Sequence, residues 1–183
     1  MVKILVPLAE GFEELEAITI IDLLRRAGFT VTSAGLEPGP VTASRGCVIV
    51  PDTTLDQVMQ EQYDMIVLPG GLPGANRLRQ NPAVQTLLRA QHQRGADLAA
   101  ICAAPRALQA SGILKGRSIT CYPGALDDLD HNQITITGNA VEIDGNLVTS
   151  RGPGTAMDFA LTLIERLGGK QLRDKISDQL VRC

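Results

Sequence analysis

The chain has 183 residues, of which 44% are hydrophobic but only 3% aromatic, with no Trp. That fits one compact domain, residues 1–183, with an aliphatic core of Val, Ile, Leu and Ala. Its 17 basic and 20 acidic residues give a net charge of −3 with no basic block, so neither a nucleic acid nor an anionic membrane has electrostatic support as a partner.

The opening MVKILVPLAEG is charged too early for a secretory signal, and no apolar run approaches a membrane span. Four scattered cysteines (Cys47, Cys102, Cys121, Cys183) form no CxxC pair, and His92 and His131 stand alone. No set has zinc-ligand spacing. A cytoplasmic chain with reduced thiols and no bound metal is expected.

In chain order, the β-branched run Val2–Leu8 predicts a buried strand. Glu13–Gly28 then repeats with helical period, placing Ala17, Ile20, Ile21, Leu24 and Ala27 on one face before Gly28 stops the helix. A strand at Thr30–Leu36, a turn at Glu37–Pro40 and a hairpin of Val41–Ser44 with Cys47–Val50 follow. The strand Asp64–Leu68 runs into a glycine-rich loop, Pro69–Gly74. A helix is expected over Asn81–Arg94, a buried strand at Leu98–Ile101, and a helix from Pro105 to Ser111. Short strands are expected at Ser118–Cys121, Ile134–Thr137, Ala140–Ile143 and Leu147–Ser150, the last two joined by Asp144-Gly145. Helices at Thr155–Leu167 and Lys170–Val181 close the chain.

Strands alternating with helices imply a mainly parallel sheet covered on both faces, with its ligand site outside the carboxyl ends of the strands. Three loops converge there: Glu10–Glu16, Pro69–Gly74 and Cys102–Pro105. Cys102 follows a strand and precedes a helix with Pro105 in its first turn, a placement similar to a nucleophile elbow without the G-x-S-x-G pattern. The helix dipole there favours a thiolate, whereas the ordinary use of cysteine is as a small buried hydrophobe.

Glu16, among four carboxylates in seven residues, sits at the margin of the apolar face, where desolvation raises a pKa; a solvated acidic helix start is the bland alternative. Gly70 and Gly71 can turn backbone amides toward an oxyanion or simply make a tight connection. Arg151-Gly-Pro-Gly-Thr155 is a second such loop, able to bind an anion or to cap a helix. His92 and His131 fall on polar segments.

Six segments together resemble the DJ-one/ThiJ/PfpI superfamily in its DJ-one-like branch: Glu10–Glu16, Asp22–Gly28, Ser44-Arg45, Tyr63–Gly71, Ala100–Pro105 and Thr149–Thr155. They keep the family order over nearly the whole chain. The resemblance implies a flavodoxin-like three-layer sandwich and a homodimer. It assigns Cys102 as reactive nucleophile, Glu16 as the carboxyl bonded to it, and Gly70, Gly71 and Ala103 as backbone donors. Arg26 and Arg45 match positions near a dimer interface that can help bind anions. Relatives with a protease-like triad carry histidine where this chain has Ala103, and animal relatives carry one where it has Tyr122, so peptidase chemistry lacks its base.

What the resemblance implies is a cofactor-free glyoxalase III-type or deglycase-type enzyme acting on small dicarbonyls such as methylglyoxal, or on glycated adducts. A redox-sensing or chaperone-like stress protein using Cys102 oxidation is the alternative.

Overall fold

In the computed structural model, which describes residues 1–181, strands and helices alternate along the chain. β1 (Lys3–Leu8), α1 (Glu14–Arg26) and β2 (Thr30–Gly35) form the first crossover. A small hairpin of β3 (Val41–Thr42) and β4 (Val48–Ile49) precedes β5 (Thr53–Thr54) and α2 (Leu55–Val58). Then come β6 (Met65–Leu68), α3 (Leu72–Gln80), α4 (Pro82–Gln93), β7 (Asp97–Ile101) and α5 (Pro105–Ala110). β8 (Ser118–Ile119) pairs in parallel with β9 (Thr135–Ile136), and β10 (Val141–Asp144) folds back on β11 (Leu147–Ser150). A 3₁₀ turn at Pro153–Thr155 leads into α6 (Ala156–Gly168) and α7 (Lys170–Gln179).

The central sheet has the order β10-β11-β7-β6-β1-β2-β5, parallel except for β10 at one edge. Alternation along its strands divides the core. Ile4, Val6, Met65, Val67, Ala99 and Ile101 face the side packed by α1 and α6, against Ile20, Leu24, Phe159 and Leu163. Leu5, Ile66, Leu68, Leu98 and Ala100 face the other side, against Leu78, Leu88 and Leu108. This is the three-layer α/β sandwich expected from the alternation.

From β1 the chain crosses to β2 on one side, and β6 lies on the other. The carboxyl ends of β1 and β6 thus flank the point where the winding reverses, which is where such sheets open a crevice.

The structure corrects the sequence reading in two places. The glycine-rich connection ends at Gly71, because α3 starts at Leu72 and takes Pro73 and Gly74 into its first turn. Pro73 and Gly74 hide the start of a segment otherwise rich in helix formers, and packing fixes that start: a Cβ at Gly74 would lie 2.7 Å from the Phe12 amide nitrogen, and Gly74 N–H donates to Gly11 C=O. The elements β5 and α2 are too short to leave a period in the sequence.

Candidate active site

Cys102 sits immediately beyond β7 with φ at +62°, one of two non-glycine residues in the left-handed region among those described. That backbone bend turns its side chain out of the strand direction, as the elbow reading expected. Its N–H donates to Ser150 C=O, and its C=O accepts from Tyr122 N–H, both at 2.9 Å. The residue is only 8% exposed.

Glu16 lies in the first turn of α1 and is completely buried. Its Oε2 accepts a hydrogen bond from Gly70 N–H at 2.8 Å. Oε1 has no regular hydrogen-bond partner among the described residues, and the Cys102 thiol is the side chain that shares a proton interaction with this carboxyl.

Glu13, which sequence reasoning passed over, holds this arrangement from both ends. Its carboxylate caps α1 by accepting from Glu16 N–H at 2.8 Å, and its own N–H donates to Gly70 C=O at 2.9 Å. A glutamate three residues ahead of a buried one, at a helix start, was the available signal.

Burial is the main force on both titratable groups. Desolvation lifts the Glu16 carboxyl from its usual 4.5 to about 7, aided by the negative charge of Glu13 and opposed by the Gly70 and Cys102 hydrogen bonds. Desolvation, with the Glu16 charge next, pushes the Cys102 thiol up to about 12, although the Gly71 and Ala103 amides pull it down. Burial and the Glu16 charge thus act against the thiolate that the helix start would favour, and α5 has only six residues. Each group's charge shifts the other's pKa, so the two titrate as a pair.

The backbone donors divide differently from expectation. Gly70 spends its N–H on Glu16, so it is not free to face an oxyanion; Gly71 and Ala103 direct theirs toward the sulfur. Gly70 has no room for a side chain, since a Cβ would stand 2.5 Å from Glu16 Oε2 and 2.6 Å from Cys102 Cβ.

Arg26 ends α1 and pairs with Asp22, about 15 Å along the helix from Glu16. Arg45 lies in the β3–β4 turn, where its N–H bonds to Glu14 and its side chain is exposed. The fold brings neither to Cys102 within one chain. Of the other cysteines, Cys47 is exposed on the hairpin, Cys121 is buried behind the Tyr122 loop, and Cys183 lies outside the described residues.

Arg106, also missed, is buried in α5 and holds that loop down. It forms a two-pronged pair with Asp128 and bonds to Ala125 C=O and Asn76. Among the described residues no three His, Cys, Asp or Glu side chains gather in a way that could hold a metal ion, and no helix is long and apolar enough to cross a membrane.

The family model of DJ-1/PfpI matches residues 2–166. The chain belongs to the DJ-1/PfpI family.

Within that family it is 47% identical over 178 residues to Protein dj-1beta of Drosophila melanogaster, covering 97% of this chain and 95% of that one. It is 39% identical over 162 residues to the glutathione-independent glyoxalase DJR-1.2 of Caenorhabditis elegans, covering 88% and 86%. Among solved structures, that of oxidized Toxoplasma gondii DJ-1 superposes with a TM-score of 0.93 at 40% identity over the whole of both chains. These similarities agree with the single α/β domain and its mainly parallel sheet.

Proposed function

We propose that this protein is a cysteine-dependent, cofactor-free enzyme that converts reactive dicarbonyls such as methylglyoxal, free or in early adducts with amines. The observation that carries the reading is the buried Glu16 carboxyl, fixed by Gly70 N–H and packed with Cys102 around Gly70, where a Cβ would stand 2.5 Å from Glu16 Oε2 and 2.6 Å from Cys102 Cβ. The likeness to a relative named as a glutathione-independent glyoxalase supports it.

The chemistry follows from that pair. The thiol adds across the aldehyde: an S–C bond forms, the C=O becomes C–O, and the thiol proton passes through Glu16 to that oxygen. The Glu16 carboxylate then removes the hydrogen of the same carbon as a proton, giving an enediolate; the hydroxyl proton passes from the first oxygen to the former ketone oxygen, and Glu16 returns its proton to the neighbouring carbon. The product is a lactoyl thioester on Cys102, which water cleaves to lactate, restoring the thiol. The sum is methylglyoxal plus water giving lactic acid, with no oxidant or reductant. Gly71 and Ala103 amides steady the negative charge that passes through sulfur and oxygen. A carboxyl titrating at about 7 suits a group that both accepts and donates a proton at neutral pH.

Cys102→Ser is expected to abolish methylglyoxal turnover with the circular dichroism spectrum unchanged, while replacing Cys47, Cys121 and Cys183 together by Ser keeps most of it. A folded but inactive triple variant assigns the nucleophile elsewhere.

The second reading, a redox sensor, draws on the same carboxyl. Protonated Glu16 can donate to a sulfinate at Cys102, and a similar solved structure is described as oxidized. Selective peroxide oxidation at Cys102 without methylglyoxal turnover above that of free thiol favours this reading over the enzyme.

The proposal includes a two-fold homodimer. Leu15 and Ile18 on α1 are 52% and 48% exposed, and Val48 and Val50 on the adjoining hairpin 62% and 76%. Glu14 ties the hairpin to α1 through Ser44 Oγ and Arg45 N–H. Light scattering should give twice the 19.5 kDa chain mass at micromolar concentration, and a monomer mass rejects the dimer.

A further inference from the structure

Two cavities, of about 260 and 300 Å³, meet at Tyr122, Pro123 and Arg151. The backbones carrying them are pinned beside Cys102: Tyr122 N–H bonds to Cys102 C=O, and Ser150, next to Arg151, accepts from Cys102 N–H. The Arg151 segment is fixed in place, since its N–H donates to Ala140 C=O at 3.1 Å and Thr155 Oγ1 binds both Gly152 N–H and Ser150 Oγ.

Tyr122 is 52% exposed and lies against Gly152, where a Cβ would stand 3.3 Å from ring atom Cδ2. The Arg151 side chain is exposed and, among the described residues, has no ion pair or hydrogen bond, whereas Arg25, Arg106, Arg117 and Arg166 are each paired with an aspartate.

An unpaired guanidinium offers forked N–H donors that match a carboxylate or phosphate, and the aromatic ring next to it can cover a flat carbonyl skeleton. Asp127 lines the 260 Å³ cavity as well, and its charge opposes an anion there. We propose that Arg151 and Tyr122 form an oxyanion subsite beside Cys102, favouring carbonyl compounds that carry a carboxylate or phosphate over neutral ones. This rests on Cys102 as the reacting group and names the class of substrate it takes.

Alkylation of Cys102 by iodoacetate and by iodoacetamide tests the subsite without any turnover. In both, sulfur displaces iodide, an S–C bond forms, and the thiol proton leaves through Glu16 to solvent; the reagents differ by one negative charge. Rates are followed by peptide mass spectrometry in a Cys121→Ser background, each normalised to free cysteine.

The iodoacetate-to-iodoacetamide ratio is expected to exceed that of free cysteine. It should fall roughly tenfold in Arg151→Gln, the loss typical of one charge-assisted hydrogen bond, recover in part in Arg151→Lys, and rise in Asp127→Asn. Inorganic phosphate and acetate should each slow the iodoacetate reaction, and the stronger competitor identifies phosphorylated or carboxylated compounds as the preferred source. An unchanged ratio in Arg151→Gln overturns the subsite whatever the turnover, whereas absent methylglyoxal conversion overturns the enzyme and leaves the ratio to stand.

Discussion

Glu16→Gln is expected to lose at least about 10²-fold in methylglyoxal turnover, the contribution typical of a general acid–base group. It should at the same time become more stable than the wild type at alkaline pH. The amide keeps the shape of the carboxyl and can still accept from Gly70 N–H, but it cannot carry a proton between two carbons.

The stability effect follows from the direction of the pKa shift. The folded protein holds the Glu16 proton up to about 7, whereas the unfolded chain releases it near 4.5. The wild type therefore loses stability as pH rises through that window, by about 3 kcal/mol in all at roughly 1.4 kcal/mol per pH unit. Glutamine is neutral throughout, so the variant escapes the loss. Urea denaturation of both proteins at pH 4 and pH 8 measures the difference directly. A variant that gains nothing over wild type between those pH values contradicts the buried, raised carboxyl, and one that keeps full turnover contradicts the proton shuttle.

The second large effect separates two adjacent glycines. Gly71→Ala should unfold or severely destabilise the protein. Its φ of +85° is in the left-handed region, and a Cβ there would lie 2.5 Å from Gly11 C=O and 2.6 Å from Glu13 N, both backbone atoms that cannot swing aside. Conformation alone costs about 1–2 kcal/mol, and the backbone displacement adds to it. Gly70→Ala meets the Glu16 carboxyl and Cys102 Cβ instead, so its cost falls on the proposed catalytic pair. It should lose turnover out of proportion to its drop in melting temperature. Thermal denaturation and turnover measured side by side decide this. Equal loss of both properties in the two variants removes the distinction drawn between a backbone contact and a site contact.

Much of this was legible in the sequence where a period or a boundary residue carried the signal. The alternation of buried strands and amphipathic helices predicts the sheet, and the rule that ligands gather at strand carboxyl ends picks out the loops Glu10–Glu16, Pro69–Gly74 and Cys102–Pro105, within which the family resemblance points to Glu16, Gly70 and Cys102. What was not legible depends on distance. α3 begins at Leu72 and takes in Pro73 and Gly74, whose close approach to Gly11 and Phe12 is a contact no local propensity reports. The thiol reads as activated beside a helix start, whereas the burial of Cys102 and the charge of Glu16, which oppose that activation, arise only from the packing of distant segments. Arg106 and Asp128 lie 22 positions apart, and nothing in either neighbourhood marks them as partners.

The left-handed backbone at Cys102 bears on what selection can do with this protein. A residue with a Cβ in that conformation costs about 1 kcal/mol, a burden that glycine does not carry. Conformational relief thus favours glycine at the one position where the proposed chemistry requires a thiol. Laboratory evolution for heat tolerance alone, with no demand on turnover, should therefore let residue 102 drift, whereas selection for survival on a toxic carbonyl should hold the cysteine and accumulate its compensating gains elsewhere in the sheet.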